Sequence, residues 1–184
     1  MPLPKKVTIM QNMNRSYGIS EPISVEYPTL KDKELTEKLE ETLKRYNVFE
    51  SDTELRHRMD VLHKINQLFK DWIKQISIAK NIPEDIAEKV GGKVCTFGSF
   101  RLGVNSQGGD IDTLCIAPRH IDRTDFFTSF ADILKRQPEI KKFMVIEDAF
   151  VPVIKTEFDG IEVKLFHRLF GVIFLNFYMN KILH

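Results

Sequence analysis

The chain has 184 residues, a formal net charge of +1, 42% hydrophobic and 29% charged residues, an ordinary balance for a domain that can bury a core. So even a charge excludes a protein that holds nucleic acid mainly through a basic excess. Two cysteines, Cys95 and Cys115, in no metal-ligand spacing exclude a zinc module or a disulfide scaffold.

The start, Met1-Pro2-Leu3-Pro4-Lys5-Lys6, carries no secretory apolar core, so the expectation is an intracellular protein with reduced cysteines and no membrane partner. Residues 1 to 28 hold Pro2, Pro4, Pro22 and Pro28 among few periodic apolar positions and read as an extended or partly disordered segment. From Leu30 to Tyr46, Leu35, Leu39 and Leu43 recur every four residues, which predicts one buried stripe on a charged helix. Ser51 and Glu54 have capping-box spacing, and Leu55, Met59, Leu62, Ile65, Phe69, Trp72 and Ile76 continue a long amphipathic helix behind them. Pro83 near its start and Gly91-Gly92 after its end bracket a third, short helix. Residues 29–80 are read as a helical extension, and 81–169 as the domain it supports.

Val94 to Phe97 predicts a short strand carrying Cys95. Gly98 permits a tight turn where backbone N–H groups can approach a phosphate with no Cβ in the way, and Ser99 adds a hydroxyl at a helix start, which favours anions. Gly108-Gly109-Asp110-Ile111-Asp112 follows and enters a second strand, which carries Cys115. Alternate side chains of a strand share a face, so Asp110 and Asp112 project together while Ile111 and Thr113 point the other way. Two carboxylates that close repel, and a hard divalent cation relieves the repulsion; oxygen-only ligands suit Mg²⁺ or Mn²⁺ rather than zinc. Either motif alone is common on ordinary surfaces. Strand, Gly-Ser turn, helix, then Gly-Gly-Asp-x-Asp and strand within one short stretch is a far rarer order.

Beyond it, Asp122 or Thr124 is placed to cap a helix that buries Phe126, Phe127, Phe130, Ile133 and Leu134. Lys135-Arg136 and Lys141-Lys142 read as solvated helix ends. Two strands follow, Val151 to Phe158 and Ile161 to Phe166, joined by Asp159-Gly160, a type I′ hairpin signal, with Pro152 at the start of its strand or on an edge. The five histidines are dispersed, and none is given a role. Residues 170–184 form a divergent apolar tail: Phe170 to Met179 is too short, with Asn176 inside it, to span a bilayer. It reads as a buried strand or helix, or as the exposed, aggregation-prone end of a truncated or alternatively spliced product, the last being preferred. The fold class is α+β: a small mixed sheet backed by helices, with carboxylates on its open face.

Gly98-Ser99-Phe100-Arg101-Leu102-Gly103 with Gly109-Asp110-Ile111-Asp112 resembles the signature of the DNA polymerase β-like nucleotidyltransferase superfamily. Ala117-Pro118-Arg119-His120, Arg123-Thr124-Asp125-Phe126-Phe127-Thr128-Ser129-Phe130, Glu147-Asp148-Ala149-Phe150-Val151-Pro152-Val153-Ile154-Lys155 and Phe158-Asp159-Gly160-Ile161-Glu162 narrow the resemblance to the eukaryotic nuclear poly(A) polymerases. Tyr17-Gly18-Ile19-Ser20-Glu21-Pro22-Ile23-Ser24 and Val48-Phe49-Glu50 resemble that family's N-terminal segment, so the likeness runs from about Tyr17 to about Leu169.

The resemblance implies a polymerase β-like palm, incomplete over 81–169, with Asp110 and Asp112 as two of three catalytic, metal-binding aspartates and a two-metal site for Mg²⁺ or Mn²⁺. It places Phe97, Gly98 and Ser99 at the turn that holds ATP, Ser106 and the Asp110-Ile111-Asp112 run beside the nucleotide, and Phe150 against the RNA end. The implied activity is template-independent addition of AMP from ATP to RNA 3′ ends in mRNA 3′-end processing. Its implied setting is the nucleus, as a monomer with the polyadenylation machinery as partner.

One departure stands against these agreements. Where the family reads Gly-Ile-Glu-hydrophobic-Asp, this chain reads Gly160-Ile161-Glu162-Val163-Lys164, and Leu165-Phe166-His167-Arg168-Leu169 resembles the family's next run shifted by one residue. The third carboxylate is missing, and a lysine ammonium beside the site is expected to repel cations by several kcal/mol. Glu162 shares a face with Lys164, but the family already has a glutamate there, so rescue by Glu162 is not expected. The family's central and RNA-binding domains have no counterpart in this sequence. A truncated, non-catalytic relative that binds nucleotide or a polyadenylation partner is therefore the alternative, and the flanks argue against a terminal uridylyltransferase-like enzyme.

Overall fold

Five strands make one sheet, and its register decides which side chains meet at the site. A computed structural model describes residues 23–169. In chain order the elements are α1 (Leu30–Arg45), α2 (Asp52–Ala79), α3 (Glu84–Val90), β1 (Lys93–Phe97), α4 (Gly98–Leu102), β2 (Ile111–Ala117), α5 (Arg123–Asp125), a π-helical turn (Phe126–Phe130), α6 (Ala131–Lys135), β3 (Ile140–Ile146), β4 (Val153–Phe158) and β5 (Ile161–Leu169). The sheet order is β1-β2-β5-β4-β3. Only the β2–β5 pair is parallel, so the sheet is mixed, as expected. The apolar tail and most of the extended N-terminal segment lie outside the described residues.

The chain divides between Thr42 and Leu43 into two compact units. In the first, the stripe expected on α1 is not buried: Leu35 is 53% and Leu39 58% exposed, and α1 has no buried residue. A four-residue spacing aligns apolar side chains but does not supply a surface to receive them.

The second unit runs from Leu43 onward. α2, assigned to a separate extension, shares one core with the sheet: Val61, Ile65, Phe69, Trp72 and Ile73 cluster with Ile111, Cys115, Ile154, Val163 and Leu165. Its capping box forms as predicted, Ser51 Oγ accepting from the Glu54 N–H and the Glu54 carboxylate from the Ser51 N–H. Its buried stripe is displaced from the expected one, since Leu55 and Met59 are exposed while Val61, Ile65, Phe69 and Ile73 face inward at four-residue steps. Phe69, Trp72, Phe126 and Phe130 stack with centroids 5.0 to 6.4 Å apart. Lys80, just past the end of α2, donates to the His120 carbonyl and pairs with Asp122 and Asp125, which fixes the start of α5. The Asp122 cap is as expected, its N–H meeting the Asp125 carboxylate at 2.8 Å.

Two further differences concern strands. β3 was not foreseen, and it contains Lys141 and Lys142, read as helix ends; its exposure pattern does not alternate cleanly, so the period-2 signal is absent. β4 begins at Val153, leaving Pro152 just outside it, where a residue lacking an N–H costs the ladder nothing. The Asp159-Gly160 hairpin forms as predicted, with φ of 48° and 81° at its two turn residues.

Alternation gives the sheet two faces. Val94, Thr96, Ile111, Thr113, Cys115, Val163 and Leu165 face the helices. Phe97, Asp112, Lys164, Lys155 and Glu157 share the other face through the pairs Phe97↔Asp112, Asp112↔Lys164 and Lys155↔Lys164. Cys115 is fully buried, and burial pushes its thiol far above the usual range, so it is inert core.

His167, also on the helix face, stacks on Phe126 at 4.9 Å, and its buried Nε2 has no hydrogen-bond partner. Desolvation, then Arg123, lowers its pKa from 6.5 to about 4. The folded protein keeps the ring neutral while the unfolded chain protonates it, so stability is full above about pH 6.5 and falls as pH drops toward 4. The wild type should therefore lose about 2–3 kcal/mol across that window relative to His167→Phe, read as the difference between their urea unfolding free energies at each pH.

Candidate active site

The site is built where β1 ends. Phe97 is still extended, and Gly98 then turns the chain with φ +69°. A Cβ on Gly98 would lie 2.8 Å from Asp112 Oδ2, so glycine is required both for its backbone angle and for the carboxylate packed against it. α4 has only five residues before Gly103 ends it in the left-handed conformation. So short a helix adds little dipole at its start. Ser99, located there, is exposed.

The loop from Gly103 to Asp110 is held from outside. Asn105 Nδ2 donates to Glu50 Oε2 at 2.7 Å, the Gln107 N–H to the Val48 carbonyl at 2.8 Å, and Gln107 Nε2 to Glu54 at 3.0 Å. The other Glu50 oxygen pairs with Arg58, and both side chains are nearly inaccessible. Sequence reasoning missed Glu50, Asn105 and Arg58 as supports, because a contact between a loop and a helix start has no period to reveal it.

Asp110 precedes β2 and Asp112 lies in it, opposite Phe97 on one side and Lys164 on the other. Lys164 Nζ pairs with Asp110 Oδ2 and lies 3.7 Å from Asp112 Oδ1. The Asp110 contact, outweighing desolvation, raises the lysine pKa, so it is an ammonium at neutral pH. Backbone register explains the encounter: Asp112 and Lys164 are paired neighbours on one face of parallel strands, and the Thr113 hydroxyl bonds the Lys164 carbonyl at 2.9 Å.

Of the residues read from sequence, Phe97, Gly98, Asp110 and Asp112 come together, and Phe97 stacks on Phe166 at 5.5 Å beside them. Ile111 is fully buried in the core, so only its backbone is available to a ligand. Ser106 is exposed on the loop, its carbonyl accepting the Gly109 N–H at 2.9 Å. Phe150 stands fully exposed on the β3–β4 connection. A cavity of about 360 Å³ lined by Met59, Leu62, Val94 and Thr96 opens on the helix side of β1, away from these carboxylates.

The carboxylates pass half of a test for metal ions. They converge on one cation position, for which the Lys164 ammonium is a stand-in, and two hard oxygens there suit Mg²⁺ or Mn²⁺. The two-metal arrangement does not fit: lysine stands where a third carboxylate is required, and no group of three or more His, Cys, Asp or Glu gathers around a common point among the described residues.

Residues 18–172 match the model of the poly(A) polymerase nucleotidyltransferase domain. This chain belongs to the poly(A) polymerase family. It is 49% identical over 150 residues to a poly(A) polymerase of Dictyostelium discoideum, covering 82% of this chain and 18% of that protein. It is 44% identical over 151 residues to the poly(A) polymerase PAPalpha of Candida albicans, covering 82% of this chain and 27% of that one. The chain thus spans about a fifth to a quarter of the curated relatives it matches. Among solved structures, the Cid1 poly(U) polymerase with MgGTP bound aligns at TM-score 0.53 and 17% identity over 74% of this chain and 38% of that one. The GLD-2/RNP-8 complex aligns at 0.51 and 17% identity over 73% and 39%. At that identity the solved structures speak to the fold alone, that of the nucleotidyltransferase domain.

Two stability tests follow. Gly98→Ala should cost about 1–3 kcal/mol in urea unfolding, from a strained φ and the forced displacement of Asp112. Glu50→Ala leaves the buried Arg58 unpaired and frees Asn105, and should cost about 3–5 kcal/mol in the same measurement.

Proposed function

We propose that this chain is the nucleotidyltransferase part of a poly(A) polymerase, which binds ATP at the Gly98–Ser99 turn and directs its α-phosphate toward an RNA 3′ hydroxyl. The observation that carries the reading is the packing of Gly98 against Asp112, with Lys164 reaching both Asp112 and Asp110, which gathers a phosphate-sized turn and the two carboxylates at one end of strands β1 and β2. In the transfer, the 3′ hydroxyl gives up its proton to solvent as its oxygen forms a bond to the α-phosphorus, the bond to the bridging oxygen breaks, and pyrophosphate leaves. The turn N–H groups and Ser99 hold the triphosphate, Phe97 and Ser106 flank the nucleotide, and Phe150 is offered to the RNA end. Mg²⁺ or Mn²⁺, when bound by Asp110 and Asp112 with Lys164 swung aside, would supply the positive charge that such a displacement develops a need for. RNA 3′ ends and the polyadenylation machinery in the nucleus are the corresponding partners and setting.

A second reading is nucleotide binding without transfer, and the Lys164 contact with both carboxylates is what supports it. Purified protein with Mn²⁺, labelled ATP and an oligo(A) primer separates the two. Extension that is lost in Asp112→Ala supports transfer; ATP binding with no extension supports the second reading; no ATP binding under any condition overturns both. Ser99→Ala should weaken ATP binding about tenfold, the loss of one phosphate hydrogen bond.

A further inference from the structure

We propose that Lys164 is the resident cation of this site, and that ATP binds here without a divalent metal ion. The inference rests on the nucleotide site proposed above and concerns what neutralises it. Geometry is the first argument. Lys164 Nζ pairs with Asp110 and lies 3.7 Å from Asp112, so one ammonium serves both carboxylates. That is the position a single bridging divalent ion would need. The lysine is not an arm that strays there from a loop: it is in mid-strand, paired in register with Asp112 and Lys155, with its carbonyl held by Thr113.

Charge is the second argument. Without the lysine, two adjacent carboxylates would repel a triphosphate strongly and demand a metal ion between them. With it, the pair carries a single net negative charge, and the ammonium can shield the phosphates directly. The tethered cation is present at an effective concentration no dilute free ion matches, so a divalent ion must displace it to bind. The neighbouring Lys155, on the same face through its pairing with Lys164, adds further positive charge that disfavours a metal ion.

Removal of the lysine is compatible with folding, because Val163 and Leu165 on either side of it are buried and fix the strand. The test uses the full chain, with circular dichroism confirming that each variant folds. Binding of a fluorescent ATP analogue is measured in EDTA and in Mg²⁺, and binding of Mn²⁺ alone by electron paramagnetic resonance. Wild type should bind the analogue with an affinity that changes less than about threefold between EDTA and Mg²⁺, and should bind Mn²⁺ weakly. Lys164→Gln should lose about tenfold or more of the EDTA affinity, regain it with Mg²⁺, and bind Mn²⁺ at least about tenfold more tightly. Lys164→Arg, which keeps the charge, should behave as wild type. Metal-dependent binding by the wild type, or equal EDTA affinities for wild type and Lys164→Gln, would overturn the role of Lys164 and leave the nucleotide site standing. Absence of analogue binding in every protein and condition would instead overturn the nucleotide site, and the lysine's role with it.

Discussion

The parallel pairing of β2 with β5 is the constraint from which the site follows. A parallel pair cannot close through a tight turn and needs a long crossover; here the crossover is the helical run from Arg123 to Lys135 followed by the β3–β4 hairpin. Both strands are central, so their helix-side residues, Ile111, Thr113, Cys115, Val163 and Leu165, are among the most buried in the molecule. Burying that face leaves one choice for the other. Asp112 and Lys164 must emerge beside each other, because a one-residue slip would drive both charges into the core.

The same packing explains why so much of the fold was legible in the sequence. Ser51 with Glu54, the Asp159-Gly160 turn and the phenylalanines at 126, 127 and 130 are local signals whose meaning does not depend on distant partners. What failed depended on such partners. The leucines of α1 announced a stripe but not its fate, and α2 looked like an extension because amphipathicity cannot say which surface a helix covers. β3 is an edge strand whose charged, irregularly exposed residues lack an alternating pattern, and it exists because β4 offers it a ladder.

For the candidate site, the divide runs between motif and support. Gly98, Asp110 and Asp112 were visible as a motif; in the fold Gly98 packs against Asp112, and Lys164 reaches both carboxylates. Glu50, Arg58 and Asn105, which brace the loop carrying Ser106, were invisible as such: a hydrogen bond from a loop amide to a carboxylate that also pairs with a buried helix arginine leaves no trace in spacing. Lys164 was legible as an anomaly and was read only as a repulsive charge. In the fold its effect on the protein itself has the opposite sign, since the carboxylates it would deny to a metal ion are the ones it satisfies.

That reversal shows how a fold can outlast a change in its chemistry. A lysine in place of a third carboxylate changes the local charge by two units, yet the residue's backbone is fixed by buried Val163 and Leu165 and by the ladder on both sides. The sheet does not need the site to be any particular charge; it needs only that the charge point away from the helices. Asp110 and Asp112, for their part, would be left in mutual repulsion without a cation, and the structure supplies one from its own chain. Stability and the charge of the site are therefore separable here: the inward side of β5 carries the first, while the outward side is free to set an ammonium beside the two carboxylates without disturbing it.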